Sequence, residues 1–193
     1  MSEMQKMNEN KEMKKESTVK EIVSWVIILA LAFLIGNGIN RFVLMKAVIP
    51  SGSMENTLQI GDRVFGSRLA YLFSNPERGD VVMFDYPDDE STLYVKRIIG
   101  LPGETVEIVD GKVYIWQDST GENKTLLEEP YLKETPKKQS FGPYEVPEGC
   151  YFMLGDNRNN SFDARSWENK YVKKEKIQCK AWLRYKPDFG FIK

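Results

Sequence analysis

The sequence contains no histidine and only two cysteines, Cys150 and Cys179, among its 193 residues. Without histidine the chain can form neither a histidine-ligated metal site nor a Ser-His-Asp triad. Two distant cysteines also exclude a four-cysteine zinc site and a C-x-x-C redox pair. The formal net charge of −1 gives no sign of a polyanionic partner such as nucleic acid. We therefore expect an activity that needs no metal or other cofactor and no nucleic acid.

One long apolar run stands near the beginning of the chain. Residues 22–35, IVSWVIILALAFLI, carry no charge, and with the next four residues the run is 18 residues long. As a helix it would span about 27 Å, close to the thickness of a bilayer core. The pattern predicts a transmembrane anchor over residues 22–40. A cleaved secretory signal is the main alternative, because Gly36-Asn37-Gly38 has small residues at the spacing of a processing site. The near absence of polar residues disfavours a buried core helix.

The charges on either side of the anchor indicate its orientation. Only Arg41 and Lys46 follow it closely, whereas five lysines precede it: Lys6, Lys11, Lys14, Lys15 and Lys20. The positive-inside rule then places the N-terminus in the cytoplasm and residues 41–193 outside the cell. We thus expect a single-pass protein of the cell membrane. Outside the cell a Cys150–Cys179 disulfide is permitted, although two unpaired cysteines fit the sequence equally well.

The rest of the chain divides by composition. Residues 1–21, rich in Met, Lys, Glu and Asn, are predicted to be a largely disordered cytoplasmic tail. Residues 41–193 alternate short β-rich runs with turn signals, so we expect a mostly β domain built as a barrel or as packed sheets. The polar stretch 117–143 is predicted to be an inserted loop or small subdomain on the surface, without a catalytic role. The predicted strands are 80–84, 93–99, 105–109, 112–116, 151–154 and 177–185, with a hairpin turn at Asp110-Gly111.

The first candidate for chemistry is IPSGSMENTL, residues 49–58, which holds Ser51 and Ser53 in a short loop bounded by proline. A serine hydroxyl is a weak nucleophile unless a neighbouring group accepts its proton. In a chain without histidine, the candidate bases are Asp, Glu, Tyr and Lys.

A second candidate is LYVKRIIGLPGE, residues 93–104, where Lys96 and Arg97 interrupt an apolar strand. Strand alternation places the two cations on opposite faces and does not say which points inward. Arginine stays protonated in proteins, so only Lys96 can act as a base. A lysine of ordinary pKa is neutral about 0.04% of the time at pH 7, and burial that lowers the pKa to about 8 raises this to about 10%. An edge-strand lysine reaching toward water is the alternative.

A third candidate is GDNRNNSFDAR, residues 155–165, whose Gly, Asp and Asn residues predict a structured turn after a strand. Ser161 supplies a second hydroxyl that could orient an amine. Four charged residues can form pairs that hold a site rigid: Asp156, Arg158, Asp163 and Arg165.

Together these segments resemble a known family. SGSMENTL, RGDVVMFDYP, YVKRIIGLPGE and GDNRNNSFDAR, in this order after one N-terminal span, resemble the signature motifs of the type I signal peptidases, most of all the Gram-positive members. The resemblance runs from about Trp25 to Tyr185 and is weakest in 117–143. It implies a signal-peptidase and SOS-repressor type of β-barrel core with a smaller inserted β subdomain. It also implies a membrane-anchored serine endopeptidase that removes signal peptides from secreted precursors.

The resemblance assigns roles to particular residues. It implies that Ser53 is the nucleophile, Lys96 the general base, and Ser161 the hydroxyl that orients the lysine. The oxyanion hole would consist of the Ser51 side chain and the Ser53 backbone N–H. The resemblance further implies two structural ion pairs, Arg97–Asp156 and Asp163–Arg165, and apolar pocket residues Ile49, Met54, Leu58 and Val95. Many members have proline where this sequence has Asn56, which puts the rigidity of that turn in doubt.

The implied substrates are secretory preproteins with small residues, typically Ala, at the first and third positions before the cut. Ser53 lies only 15 positions beyond Gly38, so we expect the site to lie near membrane lipid and the secretion translocon. Two other functions remain open at this point. One is a self-cleaving Ser-Lys protein of the SOS-repressor kind, which the anchor disfavours, and the other is a non-catalytic anchored β-domain. Cleavage of a precursor in trans distinguishes them.

Overall fold

The structure is a computed structural model that describes residues 3–118 and 121–192, with side chains described from residue 20 onward. The chain divides into two compact units, Met1–Val43 and Leu44–Lys193. The first is helical, and the second is built from β-strands.

The first unit is one long helix, α1 (Glu3–Gly38), followed by a π-helical turn at Ile39–Val43. Its stretch Lys20–Val43 is long and apolar enough to cross a membrane, and none of the most apolar window is buried within the protein. Helix α1 also covers most of residues 1–21, for which the sequence predicts disorder. These residues include no Gly or Pro and many good helix formers, so a helix established in the apolar span can extend through them.

The second unit contains twelve described strands in two antiparallel sheets. The strands are β1 (Leu44–Val48), β2 (Arg63–Ser67), β3 (Val81–Tyr86), β4 (Asp89–Gly100), β5 (Thr105–Val109), β6 (Lys112–Trp116), β7 (Thr125–Leu126), β8 (Phe141–Glu145), β9 (Cys150–Leu154), β10 (Tyr171–Lys173), β11 (Ile177–Lys186) and β12 (Gly190–Phe191). The larger sheet has the order β1-β2-β11-β3-β4-β9-β10 with β12 beside β11, and the smaller has the order β7-β6-β5-β8. The predicted mostly β class with a preceding apolar helix is confirmed.

The larger sheet is open rather than closed into a barrel. Closure needs a hydrogen-bonded ladder between the two edge strands. Among the described strands, β1 pairs with β2 and β10 pairs with β9, and no ladder joins β1 to β10. The barrel part of the expectation is therefore corrected to an open sheet.

The β5–β6 hairpin shows how the sequence pattern sets the small sheet. Asp110 and Gly111 have φ of 51° and 80°, as a two-residue turn with both central residues left-handed requires. Val109 therefore pairs with Lys112, which confirms the predicted hairpin. Alternate side chains of the two strands are buried in the core: Val106, Ile108, Val113 and Ile115.

Strand β4 lies in the middle of the larger sheet over its second half. Arg97 pairs with Val81 on β3 and with Leu154 on β9, so both sides of the strand are hydrogen-bonded there. Both faces are also covered, and the exposed fractions of Lys96 and Arg97 are only 4% and 2%. Strand alternation did not say whether Lys96 or Arg97 points inward, and the structure shows that both are buried. Lys96 is not an edge-strand residue.

The polar stretch 117–143 is part of the smaller sheet. It supplies β7, which pairs with β6, and the beginning of β8, which pairs with β5. Both strands were missed from the sequence because they lack an alternating apolar pattern.

The two cysteines are free thiols. Cys150 is half-buried at the start of β9, and Cys179 is buried on β11 with its sulfur 3.6 Å from that of Met45. Burial raises the pKa of Cys179 to about 12, so this thiol is unreactive at neutral pH.

Candidate active site

Ser53 lies in a tight turn between β1 and β2. Residues Gly52–Met54 form one turn of 3-10 helix, closed by a hydrogen bond of 3.1 Å from the Glu55 N–H to the Gly52 carbonyl. Met54 and Leu58 are fully buried in the core, and the Leu58 N–H donates to the Met54 carbonyl at 2.7 Å. These anchors fix the backbone on which the partly exposed Ser53 side chain stands.

Lys96 extends from β4 to this turn. Its Nζ atom lies 2.6 Å from Ser53 Oγ, which is hydrogen-bond distance. The Tyr94 ring lies 5.3 Å from the amine and helps to exclude water. Desolvation by burial lowers the pKa of Lys96 to about 8, although the charges of Asp163 and Asp156 act in the opposite direction. Near neutral pH an appreciable fraction of this lysine is therefore uncharged and able to accept a proton.

The other two serines surround Ser53 less closely. Ser51 Oγ is exposed and lies 3.4 Å from Ser53 Oγ, at the limit of a hydrogen bond. Ser161 Oγ is buried and has no hydrogen-bond partner among the described residues, so its expected bond to Lys96 is not formed here. Ser161 is nevertheless close to the turn Gly52–Met54, here called the Ser53 turn. A Cβ added at Gly155 would lie 2.1 Å from Ser161 Oγ and 2.5 Å from the Ser53 carbonyl oxygen, so only glycine fits between them.

Two ion pairs lie near Ser53 and Lys96. Arg97 binds both carboxylate oxygens of Asp156 at 2.8 and 2.7 Å, and both side chains are almost completely buried. Arg165 binds both oxygens of Asp163 at 2.8 Å. Asp163 also accepts the Gly155 N–H at 3.0 Å, which ties the ion pair to the turn. Each buried carboxylate is thus paired, as burial of charge requires.

Asn157 holds the Ser53 turn with both its backbone and its side chain. Its N–H donates to the Ser53 carbonyl at 3.1 Å, and its Nδ2 donates to the Gly52 carbonyl at 3.0 Å and to Glu55 Oε2 at 3.1 Å. These bonds orient the Ser53 peptide, whose N–H was assigned to the oxyanion hole. Sequence reasoning missed this role, although Asn157 lies within the GDNRNNSFDAR motif and its position there was the available signal.

Asn56 adopts a left-handed conformation directly after the Ser53 turn, with φ of 91°. Proline is restricted to φ near −65° and cannot take this conformation. Asparagine visits the left-handed region more readily than most residues. Asparagine at position 56 thus allows a backbone conformation that proline could not adopt.

A cleft of about 450 Å³ opens beside Ser53 and Lys96. Of the expected pocket residues, Ile49, Met54 and Val95 line it. Leu58 is not among the lining residues: it is completely buried in the same core cluster as Ile49 and Met54, and its place in the pocket is corrected. Several lining residues were not foreseen, among them Tyr94, Asn160 and Phe162.

This arrangement can activate a serine hydroxyl without histidine. It combines a hydroxyl, an amine at hydrogen-bond distance whose pKa is lowered by burial, and an adjoining cleft open to a substrate. The geometry is that of a serine hydrolase.

Comparison with known proteins leads to the same class. A family model described as signal peptidase, peptidase S26, matches residues 21–186. A probable signal peptidase I-2 from Synechocystis is 39% identical over 161 residues, covering 81% of this chain and 69% of the relative. Signal peptidase I S from Bacillus subtilis is 35% identical over 169 residues, covering 82% and 86%. A crystal structure of a signal peptidase I from Enterococcus faecalis shares 33% identity, with a TM-score of 0.45, over 55% of this chain and 97% of that one.

The chain belongs to the signal peptidase family, peptidase S26. The resemblance inferred from the four motifs is thereby confirmed, and the relatives from Bacillus support the Gram-positive type. The enzyme class is that of the signal peptidase I serine peptidases. The single apolar helix near the N-terminus fits a single-pass membrane protein of this class.

Proposed function

We propose that this enzyme removes N-terminal signal peptides from secreted preproteins through a Ser53–Lys96 dyad. The observation that carries the proposal is the 2.6 Å distance between Lys96 Nζ and Ser53 Oγ, at a lysine whose pKa is lowered by burial. The neutral amine takes the Ser53 proton while Ser53 Oγ bonds to the scissile carbonyl carbon. The protonated lysine then gives its proton to the departing amine as the C–N bond breaks. The mature protein leaves with this amine. Water, deprotonated by the same lysine, then hydrolyses the acyl-enzyme and releases the signal peptide with a C-terminal carboxylate.

The negative charge of the tetrahedral intermediate needs donors beside Ser53. The Ser53 N–H is available because the Ser53 peptide is held by Asn157, and Ser51 Oγ stands on the same turn. A donor of this kind typically contributes about 3 kcal/mol to the rate. We therefore expect Ser51→Ala to lower kcat by about 10²-fold.

Specificity for small residues before the cut fits the cleft. Ile49, Met54 and Val95 present apolar side chains beside the nucleophile, and they would accept Ala at the first and third positions. A larger side chain at either position has to displace buried neighbours, since Ile49 and Met54 are almost fully packed. This is tested by measuring cleavage of two peptides, one with Leu in place of Ala at the first position before the cut and one with Leu at the third. Both should be cleaved more slowly than the peptide with Ala at both positions.

The positive-inside pattern supports a cytoplasmic N-terminus and a catalytic unit outside the cell, close to lipid and the secretion translocon, where preproteins emerge. On this proposal residues 1–21 are the cytoplasmic segment, 22–40 the anchor and 41–193 the catalytic domain. Protease added outside intact cells should then cut the domain and leave the N-terminal segment protected.

The decisive experiment is cleavage of a secretory precursor in trans by the purified full chain in detergent. Wild type should release the signal peptide, whereas Ser53→Ala and Lys96→Arg should be inactive, since arginine keeps the charge but cannot accept a proton. Ser74→Ala is the matched control, because the exposed Ser74 hydroxyl donates to the Ala70 carbonyl. Cleavage by Ser53→Ala would remove Ser53 as the nucleophile, and normal turnover by Lys96→Arg would place the base elsewhere.

A further inference from the structure

A polar segment treated from the sequence as surface without a catalytic role lies against the site. Residues 127–137, here called the strap, follow β7 directly and end shortly before β8. The strap begins at Leu127, whose N–H donates to the Val113 carbonyl at 2.9 Å and whose side chain packs against the core. Its start is therefore fixed to the small sheet, and its other contacts reach the catalytic part of the protein.

The end of the strap is bonded to the turn that follows β9. Asn159 in that turn accepts the Lys137 N–H at 2.8 Å and donates to the Thr135 carbonyl at 3.2 Å. The same turn contains Asn157, which holds the Ser53 peptide. The strap is thus bonded to the segment that positions the nucleophile.

A buried ion pair joins the middle of the strap to the same turn. Glu129 binds both terminal nitrogens of Arg158, one of them at 2.8 Å, and the exposed fractions of the two side chains are 8% and 4%. Arg158 Nε in turn donates to the Gly155 carbonyl at 3.1 Å. Gly155 is the residue that fits between Ser161 and the Ser53 carbonyl. Through Arg158, Glu129 is therefore connected to Gly155, the residue of the turn after β9 that lies against the Ser53 carbonyl.

The strap also contacts the strand that carries the lysine. The Tyr131 ring lies 4.0 Å from the guanidinium carbon of Arg97, and its hydroxyl donates to Glu129 Oε1 at 2.6 Å. Arg97 follows Lys96 directly on β4 and binds Asp156 on the turn. Stacking of an aromatic ring on a guanidinium restrains the arginine plane. Glu129 and Tyr131 thus connect the strand of the base with the turn around the nucleophile.

We propose that the strap positions the dyad, with Glu129 and Tyr131 holding Arg158 and Arg97 so that Lys96 Nζ and Ser53 Oγ stay at reaction distance. This inference rests on the proposed function, and it makes Glu129 and Tyr131 positioning residues, since neither touches the reacting atoms. A misplacement of the base by a fraction of an ångström lowers the rate of proton transfer without changing the cleft that binds substrate.

The test compares variants of the full chain in detergent with a peptide substrate, at a temperature where circular dichroism shows each variant to be folded. Glu129→Gln and Tyr131→Leu should lower kcat at least tenfold and leave KM within twofold of wild type. Glu128→Gln, an adjacent and exposed position, is the matched control and should behave as wild type. Tyr131→Phe keeps the ring on Arg97 and should retain kcat within threefold. A purely structural role would lower the unfolding midpoint and leave kcat of the folded protein unchanged.

The proposal is overturned if folded Glu129→Gln and Tyr131→Leu keep kcat within twofold of wild type. Glu129→Gln leaves Arg158 buried without its carboxylate, and if that variant does not fold, Tyr131→Leu decides, because Arg97 keeps its bonds to Asp156. Asn159→Ala, at a half-buried side chain, tests the end of the strap in the same assay, and unchanged kcat there counts against the strap. Cleavage by Ser53→Ala would instead refute the dyad, so the two failures are distinguishable.

Discussion

Replacing the buried Lys96 with an uncharged residue should stabilise the protein at neutral pH. Lys96 has an ordinary pKa of 10.5, which folding lowers to about 8 by desolvation. Between these two values the unfolded chain holds a proton that the folded chain has lost, so the free energy of unfolding rises with pH across that interval. At about 1.36 kcal/mol per pKa unit, burying the charge destabilises the fold by about 3 kcal/mol below pH 8. This penalty vanishes above pH 10.5.

Lys96→Met removes this penalty with a side chain of similar length. It also loses the hydrogen bond to Ser53 Oγ, which contributes about 1 kcal/mol. The variant should therefore be about 2 kcal/mol more stable than wild type at pH 7 and about 1 kcal/mol less stable near pH 11. The difference should change sign between these values.

Urea unfolding of the full chain in a nonionic detergent, followed by tryptophan fluorescence, measures the difference at several pH values. The buried Trp167 lies in the core and reports on the catalytic unit. Lys112→Met is the matched control, because Lys112 is exposed on β6 and its replacement should give a small difference independent of pH. If Lys96→Met were less stable than wild type at pH 7, or if the difference did not vary with pH, the argument that the amine is desolvated would be refuted.

Three further predictions concern catalysis and the Ser53 turn. The kcat of the wild type should rise with pH through an apparent pKa near 8, because the proposed base is neutral Lys96, and a rise only above about pH 10 would contradict its burial. Gly155→Ala should abolish cleavage, measured with the peptide substrate, because its Cβ would overlap Ser161 and the Ser53 carbonyl; retained activity would show that the turn can move. Asn56→Gly should keep full activity, whereas Asn56→Pro should lower the free energy of unfolding by about 3 kcal/mol, since φ of 91° is closed to proline. Equal stability of the two Asn56 variants in urea would count against that conformation.

Much of the fold could be predicted from local pattern. The β5–β6 hairpin followed from alternation and from Asp110-Gly111, because a two-residue turn imposes strong local constraints. The short strands β7, β8 and β12 could not be predicted, because they lack an alternating apolar pattern of their own, and β8 also pairs with a strand that lies far earlier in the chain, β5. Whether the larger sheet closed was equally a matter of long-range pairing.

The candidate site divides in the same way. The absence of histidine and the chemistry of the remaining side chains left Ser51 and Ser53 as candidate nucleophiles and Lys96 as a candidate base, and the resemblance to the type I signal peptidases then implied Ser53 and Lys96. Alternation along β4 could not decide the direction of Lys96, and the burial of both cations came from the strands on either side of β4. The contacts of Glu129 with the rest of the site had no sequence signal, and those of Asn157 had only its place in the GDNRNNSFDAR motif, since each contact joins two segments far apart in the chain.

The sequence by itself determined which side chains are available: serine hydroxyls, lysine amines, an apolar run long enough to span a membrane and no histidine. These follow from residue identity, which no fold can change. Only the tertiary structure decided that the amine is desolvated and 2.6 Å from the hydroxyl, and that a polar segment lies against the neighbouring ion pairs. A pKa and a distance depend on what surrounds a group, and those surroundings are brought together only when the chain folds.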